Sequence, residues 1–299
     1  MKQKLRIGIW GLGRAGWGMH TNEIDRYPEE LCVAAGYDID PERTARLKQR
    51  YPDCRVYTDE ELFLADPDVD VVSVAVRSPD HADFALRALE KGKTVFLEKP
   101  VSVCPEDIEK LEEALKRYPG KLFFRHNRRF ESAFNHVREI IDSGILGNVW
   151  QIKLCRHGFS YREDWQALRS CGGGQLNNWG PHIIDHALRL LDSPVAELWS
   201  HLENINGLGD AEDIVKAVFI GENGRMIDLE IGGGEALPGP VYAECGGWGV
   251  TDPADERAVS NIHAKGLYGN WLRIDGSVSL YRFGSRYMKN ASGEYFMGY

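Results

Sequence analysis

No stretch of this 299-residue chain approaches the roughly 20 consecutive apolar residues that cross a bilayer, which excludes a helical membrane protein. Cysteine is sparse and scattered, at Cys32, Cys54, Cys104, Cys155, Cys171 and Cys245, never at C-x-x-C spacing. That pattern fits reduced thiols of a cytoplasmic protein better than a disulfide framework, and no metal site is expected from it. Positive charge is not in excess either: the net charge is −9, which argues against nucleic acid as a partner. The segment Met1 to Leu5 runs at once into an apolar strand, leaving no room for a secretory leader. Internal repeats and low-complexity linkers are also missing.

What is present alternates. Apolar, strand-like runs at Leu5 to Trp10, Leu31 to Tyr37, Arg55 to Thr58, Val69 to Val76, Lys93 to Leu97 and Leu122 to Arg125 are separated by helix-compatible stretches. Those stretches reach about Arg26, then cover Pro41 to Tyr51, Pro79 to Glu90 and Pro105 to Tyr118. Continuous apolar strands alternating with helices imply a parallel sheet covered on both faces. After the amphipathic stretch Glu131 to Ile141 the pattern changes. Strand candidates follow at Val149 to Arg156, Val195 to Leu202, Ile214 to Ile220 and Arg225 to Ile231, with one strong helix, Pro181 to Leu191. The expected fold is α/β: a Rossmann-type doubly wound parallel sheet over residues 1–124, then an α+β domain over 125–299 with a mostly antiparallel, open-faced sheet.

Three motifs carry chemistry. Gly11-Leu12-Gly13-Arg14-Ala15-Gly16 is a G-x-G-x-x-G between a strand and a helix, where glycines permit a tight turn and close approach of a pyrophosphate to free N–H groups. Asp38 ends the second strand, where a carboxylate would accept the ribose hydroxyls and repel a 2′-phosphate, pointing to NAD as cofactor. The plainer alternative is a structural turn followed by an ordinary N-cap for the helix at Pro41. Glu98-Lys99-Pro100 follows a strand at its C-terminal end, where open α/β sheets bind ligands; Lys99 could hold a substrate hydroxyl and stabilise an alkoxide, or be a surface lysine. The third motif runs from Gly172 to Asp185. Pro181 sets a helix start near Asn178 to Gly180. His182 then lies in an early turn, with Asn178 four residues back and Asp185 three on. An unperturbed histidine titrates near neutrality, which suits a general base, although a lone histidine near a helix start is more often structural. Arg125, Arg156 and Arg162 are candidates for recognising a carboxylate or phosphate.

In this order and spacing the motifs resemble the glucose–fructose oxidoreductase / inositol dehydrogenase / MocA family. The likeness extends through Ser78-Pro79-Asp80-His81, Lys91 to Val95, Asn127 to Phe130 and Ser143 to Gly147. The resemblance implies hydride exchange between NAD and a sugar, polyol or sugar-derivative hydroxyl, with Lys99 and His182 catalytic. It places Asn178, Asp185, Arg125 and Arg162 against a small sugar-like substrate, and the glycine turn, Asp38, Ser78, His81, Glu98 and Lys99 against the cofactor. It also implies a homodimer or homotetramer formed through the second sheet. Two departures stand out: many relatives carry aspartate where this chain has Asn178, and the segment 232–299 is unfamiliar. The competing expectations are a redox-neutral, NAD-using glycosidase of the same fold and a non-enzymatic NAD-binding regulatory protein.

Overall fold

The computed structural model describes residues 4–158, 162–205 and 209–234 in full, together with the backbone of four short strands beyond them. Contacts divide the chain into two units, Met1–Arg125 and His126–Tyr299.

The first unit is built on strands β1 (Leu5–Trp10), β2 (Leu31–Tyr37), β3 (Arg55–Tyr57), β4 (Val71–Val74), β5 (Thr94–Leu97) and β6 (Leu122–Phe124). They form one six-stranded sheet in the order β3-β2-β1-β4-β5-β6, every pairing parallel. The order reverses between β1 and β4, and ligands of such sheets bind beyond the strand ends at that switch. The strands are mostly apolar because helices cover both faces. Trp10, Val72, Val74, Val95 and Leu97 are buried with Ala82, Ala85, Ala88 and Leu89 of α4 (His81–Glu90) and Leu111 and Ala114 of α5 (Pro105–Arg117). Ile7, Ile9 and Val33 form a second cluster with Leu47 of α2 (Pro41–Arg50).

Local chemistry sets the helix starts. Asp40 caps α2 by accepting the Glu42 N–H at 2.9 Å, with Pro41 in the first turn. Asp59 accepts the Glu61 and Leu62 N–H groups at 2.9 and 3.1 Å, opening a helix that apolar periodicity does not mark, α3 (Glu60–Leu64). The stretch after the glycine turn, expected as one helix to about Arg26, is wound as a π-turn at Gly16–His20 and continues as α1 (Thr21–Ile24). The expected helix at Pro79 starts at His81, after a 3-10 turn at Ser78–Asp80.

The second unit begins with α6 (Ser132–Asp142) and β7 (Gln151–His157). A short helix α7 (Gln175–Asn178), the longer α8 (Gly180–Leu191), β8 (Val195–Glu203), β9 (Ile214–Gly221) and β10 (Met226–Gly232) come next. The sheet runs β7-β10-β9-β8, with β10·β9 and β9·β8 antiparallel and β7·β10 parallel. Alternation sorts its faces. Val215, Ala217 and Phe219 of β9 and Ile227, Leu229 and Ile231 of β10 pack with Ile183, Ala187, Leu190 and Leu191 of α8 and with Phe134. The opposite face carries Lys153, Cys155, Lys216, Asp228 and Glu230. Every residue of β8 is exposed, including Leu198 (60%) and Trp199 (57%).

In the segment 232–299, β11 (Tyr268–Leu272) pairs antiparallel with β12 (Val278–Arg282), and β13 (Met288–Lys289) with β14 (Tyr295–Phe296). The rest of that segment from Glu235 on, Cys245 included, lies outside the described residues. Among the described residues no helix is long and apolar enough to cross a membrane.

Candidate active site

In the first unit the site starts at the glycine turn between β1 and the helix after it. Gly11 has φ +96°, and a Cβ there would meet the Ala75 carbonyl oxygen at 2.7 Å. A Cβ on Gly16 would lie 1.9 Å from the Gly11 oxygen, so the helix can pack this closely only on glycine. Gly13 differs: a Cβ there would meet only the Arg43 guanidinium, at 3.9 Å, and the space in front of its backbone is open. Helix-start N–H groups beside an open glycine fit a pyrophosphate, and Arg14 and Ala15 open that helix. The Leu12 N–H is committed elsewhere, donating to Asp38 Oδ2 at 2.7 Å while the Leu12 side chain is buried.

Asp38 is buried at the end of β2. Its Oδ1 accepts the Asp40 N–H at 3.0 Å, and Arg43 Nη1 stands 3.4 Å from Oδ2. Because Asp40 caps α2, Asp38 is not that helix's cap; it braces the glycine turn. A carboxylate has about four acceptor positions, so three such partners leave room for a ribose hydroxyl.

Lys99 lies two residues beyond β5, half-buried, and the Lys99–Pro100 peptide is cis. Glu98, only 4% exposed, points inward. Its Oε2 accepts the Lys99 N–H at 2.9 Å, and its Oε1 accepts from His20 Nε2 at 2.9 Å and Arg125 Nη1 at 3.0 Å. The other ring nitrogen of His20, Nδ1, faces Ser73 Oγ at 2.5 Å. Arg125 also pairs with Glu23. Burial would raise the Glu98 carboxyl, but the His20 hydrogen bond and the charge of Arg125 hold it down at about 2. A fixed anion thus sits directly behind the backbone of Lys99.

Three residues expected at the site have protein partners of their own. Arg125, expected against substrate, is buried and pairs with Glu98 and Glu23 behind the Lys99 segment. The Glu98 carboxylate, expected against the cofactor, accepts from that same inward network. His81 holds backbone: its Nδ1 faces the Pro100 oxygen at 2.6 Å and its Nε2 the Val76 oxygen at 3.1 Å, tying the end of β4 to the residue after Lys99. Burial pushes its pKa down. Ser78, beside it, is buried at the start of its 3-10 turn.

In the second unit Gly173 and Gly174 donate to the Leu168 and Gln166 carbonyls at 2.9 and 2.8 Å. A Cβ on Gly173 would lie 2.3 Å from the Gln166 oxygen. Glu212 caps α7, its Oε1 accepting the Leu176 N–H at 2.9 Å. Asn178 is the last residue of α7, not the N-cap of α8, and lines a small cleft of about 40 Å³ with Arg162, Gln166, Gln175 and Glu212. That cleft opens to solvent; Arg162 bonds Gln166 on its wall.

His182 enters α8 directly after Pro181, 6% exposed, with the Trp179 ring edge-on at 6.0 Å. Trp179 is itself covered by the guanidinium groups of Arg128 at 4.6 Å and Arg156 at 4.2 Å. Burial lowers the pKa of Arg156, and the neighbouring charge of Arg128 adds to it. Asp185, expected against substrate, pairs with arginines. It accepts a two-pronged pair from Arg129, Nη2 to Oδ1 at 2.6 Å and Nε to Oδ2 at 2.9 Å, and a bond from Arg189 at 3.3 Å. Burial would raise its pKa, yet these arginines keep it below the ordinary aspartate range. The thiols of Cys54 and Cys155 are pushed up by burial, Cys155 to about 11, so neither is a ready nucleophile.

Sequence reasoning missed His20, Ser73, Gln175 and Glu212. Ser73 had a visible signal, a polar residue inside the buried run Val71 to Val74; His20 had none beyond lying four residues past Gly16.

A parallel sheet in this order, with an open glycine turn at one strand end and an acidic residue closing the next, defines a Rossmann-type dinucleotide-binding protein. The chain belongs to the GFO/IDH/MocA family. Residues 5–126 match its oxidoreductase, NAD-binding Rossmann-fold domain and residues 134–239 its C-terminal domain. It is 29% identical over 194 residues to scyllo-inositol 2-dehydrogenase (NADP(+)) IolW of Bacillus subtilis (strain 168), covering 64% of this chain and 53% of that protein. It is 28% identical over 257 residues to inositol 2-dehydrogenase 2 of Saccharopolyspora erythraea, covering 84% and 74%. An NAD-binding protein from Listeria innocua superposes with TM-score 0.74 at 25% identity, over 94% of this chain and 77% of that one. The chain spans little more than half the length of several curated relatives it matches.

Proposed function

We propose that this protein is an NAD-dependent oxidoreductase acting on a carbon–hydroxyl unit of a sugar, polyol or sugar derivative. The observation that carries the reading is Lys99, placed just past an interior strand of the parallel sheet and backed by the buried, ionised Glu98. When bound, the dinucleotide supplies a nicotinamide ring that takes up or returns hydride. The chain's residues do the rest. The Lys99 ammonium donates to the substrate hydroxyl and stabilises it as an alkoxide when the proton leaves. His182 is the base that takes that proton. Asn178 orients hydroxyl groups through its amide, and Arg162 meets a carboxylate or phosphate where the substrate carries one. The names of the inositol dehydrogenases support a polyol-like substrate.

Asp38 favours NAD over NADP in this reading. The exposed apolar strand β8, with Leu198 and Trp199, supports a homodimer or homotetramer formed through the second sheet. The free thiols of the described cysteines fit the cytoplasm.

The test is NADH formation from NAD across a panel of sugars, inositols and sugar acids, with Lys99→Met as control. Turnover that disappears in Lys99→Met supports the assignment. NAD binding without turnover on any panel member would replace it with a binding role, and glycoside cleavage without net NADH would replace it with the redox-neutral reaction.

A further inference from the structure

We propose that Cys155, His157 and Glu230 form a binding site for one divalent transition-metal ion, with zinc the best match, on the sheet face that α8 leaves uncovered. Strand geometry assembles the three side chains. Cys155 and His157 stand two residues apart on β7 and so project to the same face. Glu230 lies beside Cys155 on the parallel neighbour β10. The Cys155 sulfur, a His157 ring nitrogen and a Glu230 carboxylate oxygen all lie within 4.8 Å of one another. His157 Nε2 is 2.7 Å from Glu230 Oε1. Cys155 is 7% exposed, and the side chains of His157 and Glu230 are 12% and 21% exposed. The donors are therefore screened from bulk water and held by two paired strands instead of a loop.

The surroundings fit an outer shell. Lys216 Nζ binds Glu230 Oε2 at 2.8 Å and Asp228 Oδ1 at 2.5 Å. Groups that hold the outer oxygen of a carboxylate orient its inner oxygen toward a metal. Here that leaves Oε1 facing His157. Lys216 also opposes a cation by charge, but Asp228 offsets it.

The donor set selects the ion. One thiolate, one imidazole and one carboxylate, with water in a fourth position, satisfy tetrahedral zinc, whereas calcium and magnesium require oxygen ligands. Binding forms a sulfur–metal bond and releases the thiol proton to solvent. The site belongs to the second unit alone and involves none of the residues assigned to catalysis, so its failure would leave the oxidoreductase reading untouched.

The test uses the full chain, stripped with chelator and titrated with Co²⁺. The expected result is one equivalent bound, with a thiolate-to-cobalt charge-transfer band and tetrahedral d–d absorption, both erased by one equivalent of Zn²⁺. Cys155→Ser should abolish the charge-transfer band, and His157→Gln and Glu230→Gln should each weaken binding at least ~10-fold. Cys104→Ser should leave the band unchanged. Circular dichroism establishes that each variant is folded; if Cys155→Ser is not, the two remaining variants decide. No thiolate band in the native chain, a band that survives in folded Cys155→Ser, or unchanged affinity in both His157→Gln and Glu230→Gln would overturn the proposal.

Discussion

Replacing Asp38 by alanine should change which dinucleotide the protein prefers. The carboxylate accepts from the Leu12 and Asp40 N–H groups at 2.7 and 3.0 Å, with Arg43 at 3.4 Å. One acceptor position remains for a ribose hydroxyl. A hydrogen bond to a charged acceptor contributes about 1.5–3 kcal/mol, and every 1.4 kcal/mol is tenfold in affinity. Asp38→Ala should therefore weaken NAD(H) about 10- to 150-fold, with a further loss from a loosened glycine turn. NADP(H) should move the other way, because the substitution removes an anion that repels the 2′-phosphate and releases Arg43 to meet it. Helix α2 should survive, since its cap is Asp40. Calorimetric titration of both cofactors into native and variant protein reads the change, with circular dichroism as the folding control. Equal or tighter NADP(H) binding in the native protein, or an unchanged NAD/NADP ratio in Asp38→Ala, would refute the reasoning.

His182→Ala should lower kcat by about 10²-fold or more while calorimetry finds NAD affinity little changed, the pattern of a lost general base. Asn178→Asp should retain activity and move the acidic limb of the pH–rate profile upward, because an added carboxylate favours the protonated base; steady-state kinetics across pH reads the limb. Glu98→Gln should destabilise the fold by about 3–5 kcal/mol in a denaturant titration, since among the described residues it leaves the buried Arg125 with Glu23 as its sole anionic partner. Glu98 also has a pH signature. Its folded value of about 2 lies below the ordinary glutamate value of about 4.3, so its stabilisation is full above the latter and is lost as pH falls through the former. Acid unfolding of the native chain should steepen in that window, and Glu98→Gln should flatten it.

The first unit was legible because its signals are local and redundant. Most strands are largely apolar runs, and the turns into α2, α3, α4 and α5 carry a cap or a proline. The glycine turn, Asp38 and Lys99 were readable for the same reason: each occupies a strand end, a position that sequence pattern marks. Side-chain commitment was not readable. Arg125, Asp185 and His81 looked like free polar groups near a site, yet each has a partner between 19 and 102 residues away. No local pattern records a pairing at that distance. The same limit hid Cys155, His157 and Glu230. Cys-x-His on one strand is visible, but its third member lies 73 residues beyond His157 and arrives only through the β7·β10 register.

The chain of contacts from Ser73 through His20 and Glu98 to Arg125 has a consequence for recombination. Its members come from four separate segments of the first unit, and each satisfies a buried group on another. A chimera with a relative that breaks anywhere between residues 20 and 125 inherits some of these members from each parent. Unless both parents carry matching partners, the splice strands a charge in the core even when every secondary-structure element is intact. Crossovers placed after Arg125 keep the set together and exchange the second unit alone.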